Sequence, residues 1–211
     1  MTGTPTPEDP LAPVGEPVAD EGAGPPFGHG AGPPFGHGAG GPFGQGAGGP
    51  FGQGAGDAAR YRQVLGHFAT GVTVVTTASD GVPAGLAVNS FTSVSLVPPL
   101  IAFCVALSSS TWPRIQAVGA FCVNILAEDQ EDLCRVFATS SADKFRGVGW
   151  RPAESGAPIL AGGLAWIDCS VEAEHPAGDH VIVVGRVREL GVGREGRPLV
   201  FYRGGYGRFE P

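Results

Sequence analysis

Hydroxyl and amide side chains are concentrated in one stretch of this 211-residue sequence, at residues 85–95. The stretch reads Gly-Leu-Ala-Val-Asn-Ser-Phe-Thr-Ser-Val-Ser and borders apolar segments. Polar groups beside a protein core need hydrogen-bond partners, because an unpaired buried polar group is costly. Two interpretations stay open: a junction between strand and loop whose polar groups pair internally, or a hydrogen-bonding wall for a flat polar ligand.

A second hydroxyl-rich segment, residues 108–111, reads Ser-Ser-Ser-Thr and is followed by Trp112 and Pro113. Thr111 is a suitable N-cap for a short helix at residues 112–118, in which Pro113 occupies the tolerated first turn. Hydroxyl groups beside the unpaired N–H groups of a helix start can bind phosphate. The segment therefore favours a phosphate-bearing ligand.

Lys144 is the only lysine in the chain, and every other basic residue is an arginine. It lies in the sequence Asp-Lys-Phe, after a predicted acidic helix and a Ser-rich loop. A single ammonium beside an aromatic ring could pair with a ligand phosphate while the ring borders the ligand. A solvated loop lysine is the equally supported alternative.

His175 and His180 lie close in sequence to the acidic residues Glu172, Glu174 and Asp179. These residue types bind metals, but a Pro-Ala-Gly-Asp turn separates the two histidines. Because that turn works against convergence of four ligands, we predict no metal site.

Three G-x-G-x-x-G matches occur, at residues 36–41, 44–49 and 191–196. A dinucleotide-binding loop of this type must follow a strand and open a helix. The first two matches lie in Gly/Pro-rich sequence, and a surface hairpin loop explains the third better. The sequence also lacks the G-x-S-x-G, H-E-x-x-H and P-loop motifs. We therefore predict no Rossmann unit.

The elements that must position the candidate residues are mostly strands. Periodicity and turn signals predict short helices at residues 57–68, 112–118 and 128–138. Runs rich in β-branched or apolar residues predict strands at residues 70–77, 84–90, 100–106, 120–126, 165–174, 180–190 and 199–202, with extended chain at 91–96. Because helices and strands do not alternate regularly, we expect a mainly β fold: an antiparallel barrel with peripheral helices.

The first 56 residues have a different composition from the rest of the chain. They hold 18 of the 36 glycines and 11 of the 20 prolines, and four octapeptide repeats span residues 22–53. Such sequence buries too little apolar surface to offset the entropy of ordering. We predict a disordered tail at residues 1–56, acting as a linker or a partner tether, before a single domain at residues 57–211.

Charge and cysteine usage limit the partners and the compartment. Five acidic residues and no basic ones give the tail −5 of the net charge of −7, so the domain carries −2. Neither part favours nucleic acid or an anionic membrane. The longest apolar run is broken by two prolines, and no targeting signal is visible. The four cysteines form no C-x-x-C pair, so we expect buried reduced thiols and a cytoplasmic protein.

Six short segments occur in an order that resembles a known family. They are residues 68–77, 87–100, 108–111, 121–126, 143–145 and 178–187. Over roughly residues 60–209 the chain resembles the flavin reductase-like proteins with an FMN-binding split barrel. That family includes the reductase components of two-component flavin monooxygenases. The resemblance implies a split antiparallel β-barrel, and it does not explain the repeat tail.

The resemblance also implies a set of site residues. Val88, Asn89, Ser90 and Phe91 are expected to lie along the flavin ring and ribityl chain. Ser93 is expected to approach the ribityl and phosphate region, Cys104 to pack beside the ring edge, and Phe145 to close one side. Those expected to hold the phosphate are Ser108, Ser110, Thr111 and Lys144. His180 is expected to border the nicotinamide pocket, where it would orient the nicotinamide or supply charge, and Tyr206 to line the same mouth.

The implied function is an NAD(P)H:flavin oxidoreductase that passes reduced flavin to a partner monooxygenase. The expected cofactors are FMN or FAD, with NADH or NADPH as the hydride donor, and the sequence does not separate these pairs. A homodimer is expected. Two alternatives stay open: a split barrel that retains its flavin and acts on an organic substrate, and a non-enzymatic flavin- or haem-binding protein.

Overall fold

The computed structural model describes residues 55–141 and 143–210. This part of the chain contains the helices α1 (Ala55–Leu65), α2 (Trp112–Val118) and α3 (Glu131–Ala138). Its strands are β1 (Thr70–Gly71), β2 (Thr73–Ser79), β3 (Val82–Val88), β4 (Thr92–Leu96), β5 (Pro99–Ala106), β6 (Ala120–Ile125), β7 (Trp150–Pro152), β8 (Pro158–Leu160), β9 (Ala165–Ala177), β10 (His180–Val192), β11 (Leu199–Tyr202) and β12 (Gly205–Arg208). The predicted tail lies outside the described residues, apart from its last two, which begin α1.

Seven strands form the main sheet, in the order β3-β2-β6-β9-β10-β5-β4, and every pairing is antiparallel. The two ends of this sheet approach each other, since β3 contacts β5. Just beyond β3, the Ser90 hydroxyl accepts a hydrogen bond from the Cys104 N–H at 2.8 Å and donates one to the Cys104 carbonyl at 3.2 Å. The sheet therefore curls into a barrel, which confirms the mainly β antiparallel prediction.

The apolar residues of the main sheet fill the barrel. Phe103 and Phe121 lie at its centre, fully buried, with ring centroids 5.3 Å apart. A second buried cluster, which includes Val74, Leu126 and Phe137, lies under α3 and the small sheet β1-β11-β12. Burial of such side chains contributes about 1.5–3 kcal/mol each. The helices cover the sheets from outside, as predicted.

The predicted bounds differ from the observed ones where short polar residues compete with helix formation. α2 and β11 match their predictions, but residues 128–130 form a 3-10 turn and α3 begins only at Glu131. In that turn the Ala127 N–H donates to Gln130 Oε1 at 3.0 Å. α1 was predicted at residues 57–68 and spans Ala55–Leu65 instead.

Three observed strands were not predicted. β7 and β8 have three residues each and contain prolines, and β12 contains two glycines, so their sequences resemble turns. The hairpin predicted at residues 191–196 is wrong, because β10 runs to Val192 and β11 pairs with β1 and β12. Among the described residues, none of the helices has the length and apolarity that a membrane crossing requires.

Candidate functional site

The residues after β3 include one paired and one unpaired polar side chain. The Ser90 hydroxyl is used to join the barrel at Cys104, so here the internal-junction interpretation is correct. The half-buried amide of Asn89 makes no side-chain hydrogen bond with the described residues. Val88 is 3% exposed and belongs to the barrel core, against which Phe91 packs. Asn89 is therefore the polar group here that remains available to a ligand.

Cys104 lies in β5, between two segments predicted to form the site. It faces Ser90 on one side and is the register partner of Ile182 in β10 on the other. It is half-buried, whereas the other three cysteines are buried, and all four are free thiols. Ser93 in β4 pairs with Ile101 and is exposed.

The helix start at α2 differs from the prediction in one respect. Thr111 occupies the N-cap position, but its hydroxyl donates to the Gly85 carbonyl at 3.3 Å instead of capping the helix. Ser109 takes over the capping role, because its hydroxyl accepts from the N–H groups of Thr111 and Trp112, both at 3.3 Å. The hydroxyls of Ser108 and Ser110 are exposed and have no partner among the described residues.

Lys144 is half-buried, so the interpretation as a solvated loop lysine is wrong. Its ammonium donates to the carbonyls of Gly85 and Phe137, both at 3.1 Å. Burial lowers the pKa of Lys144. Because the Gly85 carbonyl accepts from both Lys144 and Thr111, the structure brings together two residues predicted to bind phosphate.

Gly85 allows α3 to approach β3 at this point. A Cβ at Gly85 would lie 2.6 Å from Phe137 Cε1, so any other residue at this position would displace the phenylalanine ring. The Phe137 ring in turn meets Phe145 edge-on, with centroids 5.0 Å apart. Phe145 is therefore held beside Lys144. Sequence reasoning did not single out Gly85, although a glycine inside a predicted strand signals a close approach.

His180 is the first residue of β10 and the register partner of Ala106 in β5. Its Nδ1 lies 2.6 Å from Asp179 Oδ1, and its side chain is 31% exposed. The Leu107 N–H donates to the Asp179 carbonyl at 3.0 Å, which ties the turn before His180 to the segment that leads to α2. The structure therefore places His180 near the hydroxyl-rich residues 108–111.

Tyr206 is placed elsewhere in the fold. It lies in β12 of the small sheet, its hydroxyl is 3.2 Å from Cys134 Sγ, and the Arg135 guanidinium lies 4.8 Å from its ring centroid. Burial and the Cys134 contact raise the pKa of Tyr206. His180 and Tyr206, predicted to line one pocket, thus belong to different sheets.

The acidic residues near the histidines have other partners. Glu172 forms a bidentate ion pair with Arg186, at 2.6 and 2.7 Å, and Glu174 accepts from Gln116 at 2.7 Å. Within residues 55–141 and 143–210 no group of three or more His, Cys, Asp or Glu side chains could hold a metal ion.

A family model described as the flavin reductase-like domain matches residues 65–210. Two curated proteins are 51% identical to the chain. The reductase subunit HsaB of a flavin-dependent monooxygenase from Rhodococcus jostii matches over 155 residues, 74% of this chain and 80% of that protein. A flavin reductase from Pseudomonas putida matches over 154 residues, 72% of this chain and 91% of that protein.

Solved structures give the same result. Nitrilotriacetate monooxygenase component B from Mycobacterium thermoresistibile is 48% identical, with a TM-score of 0.73 over 74% of this chain and 89% of that one. The Streptomyces globisporus NADH:FAD oxidoreductase SgcE6, solved with NAD and FAD fragments, is 39% identical, with a TM-score of 0.70 over 74% of this chain and 94% of that one.

Proposed function

The chain belongs to the flavin reductase-like family, and from that premise we propose that it transfers a hydride from NADH or NADPH to FMN or FAD and passes the reduced flavin to a partner monooxygenase. It is an oxidoreductase whose relatives include reductase subunits of such monooxygenases. The observation that carries the proposal is the convergence at the end of β5. There Cys104 meets Ser90, Ala106 pairs with His180, and the chain continues into residues 108–111.

The donors around this point fit a flat ligand that carries a phosphate. Asn89 offers an unpaired amide, and Ser108 and Ser110 offer unpaired hydroxyls. Lys144 uses two backbone acceptors, which leaves its third N–H and its positive charge for a phosphate oxygen. A bound flavin supplies the hydride-accepting ring, so the protein needs to bind, align and exclude water.

His180 has its orientation set by Asp179. A carboxylate near Nδ1 favours the proton on that nitrogen and leaves Nε2 as the nitrogen available to a second ligand. We propose that His180 orients the nicotinamide through Nε2, at the edge of the imidazole ring. The proposed site residues are Val88, Asn89, Ser90, Phe91, Ser93, Cys104, Ser108, Ser110, Thr111, Lys144, Phe145 and His180. Tyr206 is also proposed, although it lies in the small sheet and His180 in the main sheet.

We propose a homodimer, which exposed apolar side chains support. On α1 and just beyond it, Tyr61, Val64, Leu65 and Phe68 recur at helical spacing, and each is more than half exposed. At the β4–β5 turn, Leu96 and Val97 are each 91% exposed. Continuous exposed apolar surface is typical of interfaces. Light scattering on the purified chain should give twice the monomer mass, and a Leu96→Asp, Val97→Asp double variant should lower it.

We also propose that residues 57–211 form the catalytic domain and that the protein acts in the cytoplasm. The free thiols and the use of a reduced nicotinamide fit a reducing compartment.

The test of the function is anaerobic oxidation of NADH and of NADPH by the purified chain, with and without added FMN or FAD. We expect oxidation that requires added flavin and that bleaches it over many turnovers. Turnover without added flavin would instead indicate a retained cofactor. Tight flavin binding without oxidation of either nicotinamide would contradict the proposal and indicate a carrier.

A further inference from the structure

A cavity of about 360 Å³ lies at the end of the β9–β10 ladder that is remote from His180. His180 pairs with Ala177 at one end of the ladder, and Val192 pairs with Ala165 at the cavity end. At about 3.3 Å per residue, the path along β10 between the two ends is roughly 40 Å long. The cavity therefore belongs to a different part of the molecule from the proposed flavin site.

The walls of this cavity are fixed by buried hydrogen bonds. One wall is the β7–β8 hairpin, whose Pro158 carbonyl accepts from Thr76 Oγ1 at 2.5 Å and from Asn124 Nδ2 at 3.2 Å. The Leu160 N–H donates to Asn124 Oδ1 at 2.8 Å. At Gly193, which also lines the cavity, the backbone approaches the Gly163 carbonyl so closely that a Cβ would collide with it. The cavity is thus preformed.

The two arginines that line the cavity differ in whether a carboxylate pairs with them. Arg194 donates to the Gly162 carbonyl at 2.8 Å and forms an ion pair with Asp129. The Arg151 guanidinium lies 5.2 Å from the Trp166 ring centroid and has no ion pair or hydrogen bond within the part of the chain that the structure describes. Arg151 is thus an exposed positive charge that no carboxylate of the described residues pairs with.

A guanidinium that lies over an indole ring leaves N–H groups free along its own edge, where a carboxylate can accept two of them. Apolar side chains lie next to this charge: Ile159 is the strand partner of Arg151, and Val192 is 82% exposed at the rim. We propose that the cavity binds a small organic carboxylate, with its anionic group on Arg151 and its apolar body against Ile159 and Val192. The volume matches that of ordinary small-ligand sites.

The test uses benzoate as the probe and the neutral benzamide as its matched analogue. Binding to the full chain is followed through the indole N–H signals of its three tryptophans, with Trp166→Phe assigning the signal of Trp166. We expect benzoate to shift the Trp166 signal saturably at millimolar concentration, and benzamide to bind about tenfold more weakly.

Arg151→Gln should weaken benzoate binding about tenfold, whereas Arg151→Lys should retain part of the affinity. The control is Arg203→Gln, because the Arg203 guanidinium also lies over an aromatic ring, 6.0 Å from the Tyr202 centroid, but does not line the cavity. We expect Arg203→Gln to bind benzoate as the unmodified chain does.

Three outcomes would overturn the proposal: no saturable shift of the Trp166 signal, equal affinity for benzamide and benzoate, or competition between benzoate and added FMN. The last would place benzoate at the flavin site. The benzamide comparison and the FMN competition can be read from any saturable indole shift of the unmodified chain, so they decide the question even if a variant fails to fold.

Discussion

Two networks of polar side chains in this molecule contain similar residues but differ in how many of their polar atoms have a hydrogen-bond partner. In the network at Asn124, the amide donates to Val74, Thr76 and Pro158 and accepts from Leu160. In the network at the end of β5, Asn89, Ser108 and Ser110 keep unpaired polar atoms within the described chain. The completely paired network holds the fold together, and the incompletely paired one is where a ligand can bind.

The largest expected effect is a difference in stability between alanine variants of Asn124 and Asn89. Asn124 is 1% exposed, and Asn124→Ala leaves the Leu160 N–H without its partner. We expect the free energy of unfolding to fall by about 3 kcal/mol. Asn89→Ala should change it by less than about 0.5 kcal/mol while weakening flavin binding about tenfold. Urea unfolding and flavin titration measure both quantities, and similar stability losses would contradict the comparison.

Gly85 links the proposed ligand-binding residues to the packing of the fold. Its carbonyl accepts from Thr111 and Lys144, and α3 packs against it. Gly85→Ala places a Cβ 2.6 Å from the Phe137 ring, so we expect a loss of about 2 kcal/mol in unfolding free energy, with weaker FMN binding. Gly71→Ala is the control, because its Cβ would meet no atom within 4 Å. If both variants are equally stable, the packing of α3 against Gly85 is not as described.

Lys144 combines features of the paired and the unpaired residues. Its ammonium donates to two backbone carbonyls, and its positive charge has no acidic partner among the described residues. Lys144→Met should weaken FMN binding about tenfold more than riboflavin binding, since only FMN carries a phosphate. Lys144→Arg, which retains the charge, should preserve more of that difference. Equal losses for FMN and riboflavin would assign Lys144 a structural role alone.

The pH dependence of FMN binding provides a second test of Lys144. Burial lowers the pKa of Lys144 below the ordinary value of 10.5. The folded chain therefore loses this charge as the pH rises through the lowered pKa, while the unfolded chain keeps it up to about 10.5, and FMN affinity, relative to riboflavin affinity, should fall as the pH rises through the lowered pKa and stay low in the window from there to 10.5. The contribution of Lys144 to stability should rise across the same window, because the unfolded chain there binds more protons than the folded chain.

The smallest expected effects distinguish neighbouring serines. Ser109→Ala removes the acceptor for the Thr111 and Trp112 N–H groups and should cost about 1 kcal/mol of stability. Ser108→Ala should leave stability unchanged and weaken FMN binding about threefold relative to riboflavin. The opposite assignment of the two effects would reverse the roles given to these hydroxyls.

Local sequence patterns predicted the regular parts of this fold. The apolar run before Leu107 and the Pro-containing start of α2 each formed the expected element, because local preference and burial agree there. β12 was missed since its glycines have no strand preference and its pairing with β11 depends on the turn between them.

The candidate site was predicted less completely than the fold. The order of the motifs, through the family resemblance, predicted which residues lie around β5. It did not predict contacts between residues that are far apart in the sequence. The Lys144 bond to Gly85 joins residues 59 positions apart, and no local signal reports such a pairing. Likewise, the choice of Ser109 over Thr111 as the helix cap depends on the Gly85 carbonyl, which offers Thr111 a competing acceptor.

The most direct test of the central claim is the anaerobic rate of flavin reduction by NADH in His180→Ala, measured by stopped flow beside the unmodified chain. We expect FMN affinity within about twofold of the unmodified chain and hydride transfer slower by about a hundredfold, because the role we propose for His180 is to align the nicotinamide and not the flavin. Unchanged hydride transfer in His180→Ala would contradict the placement of the hydride site at the end of β5.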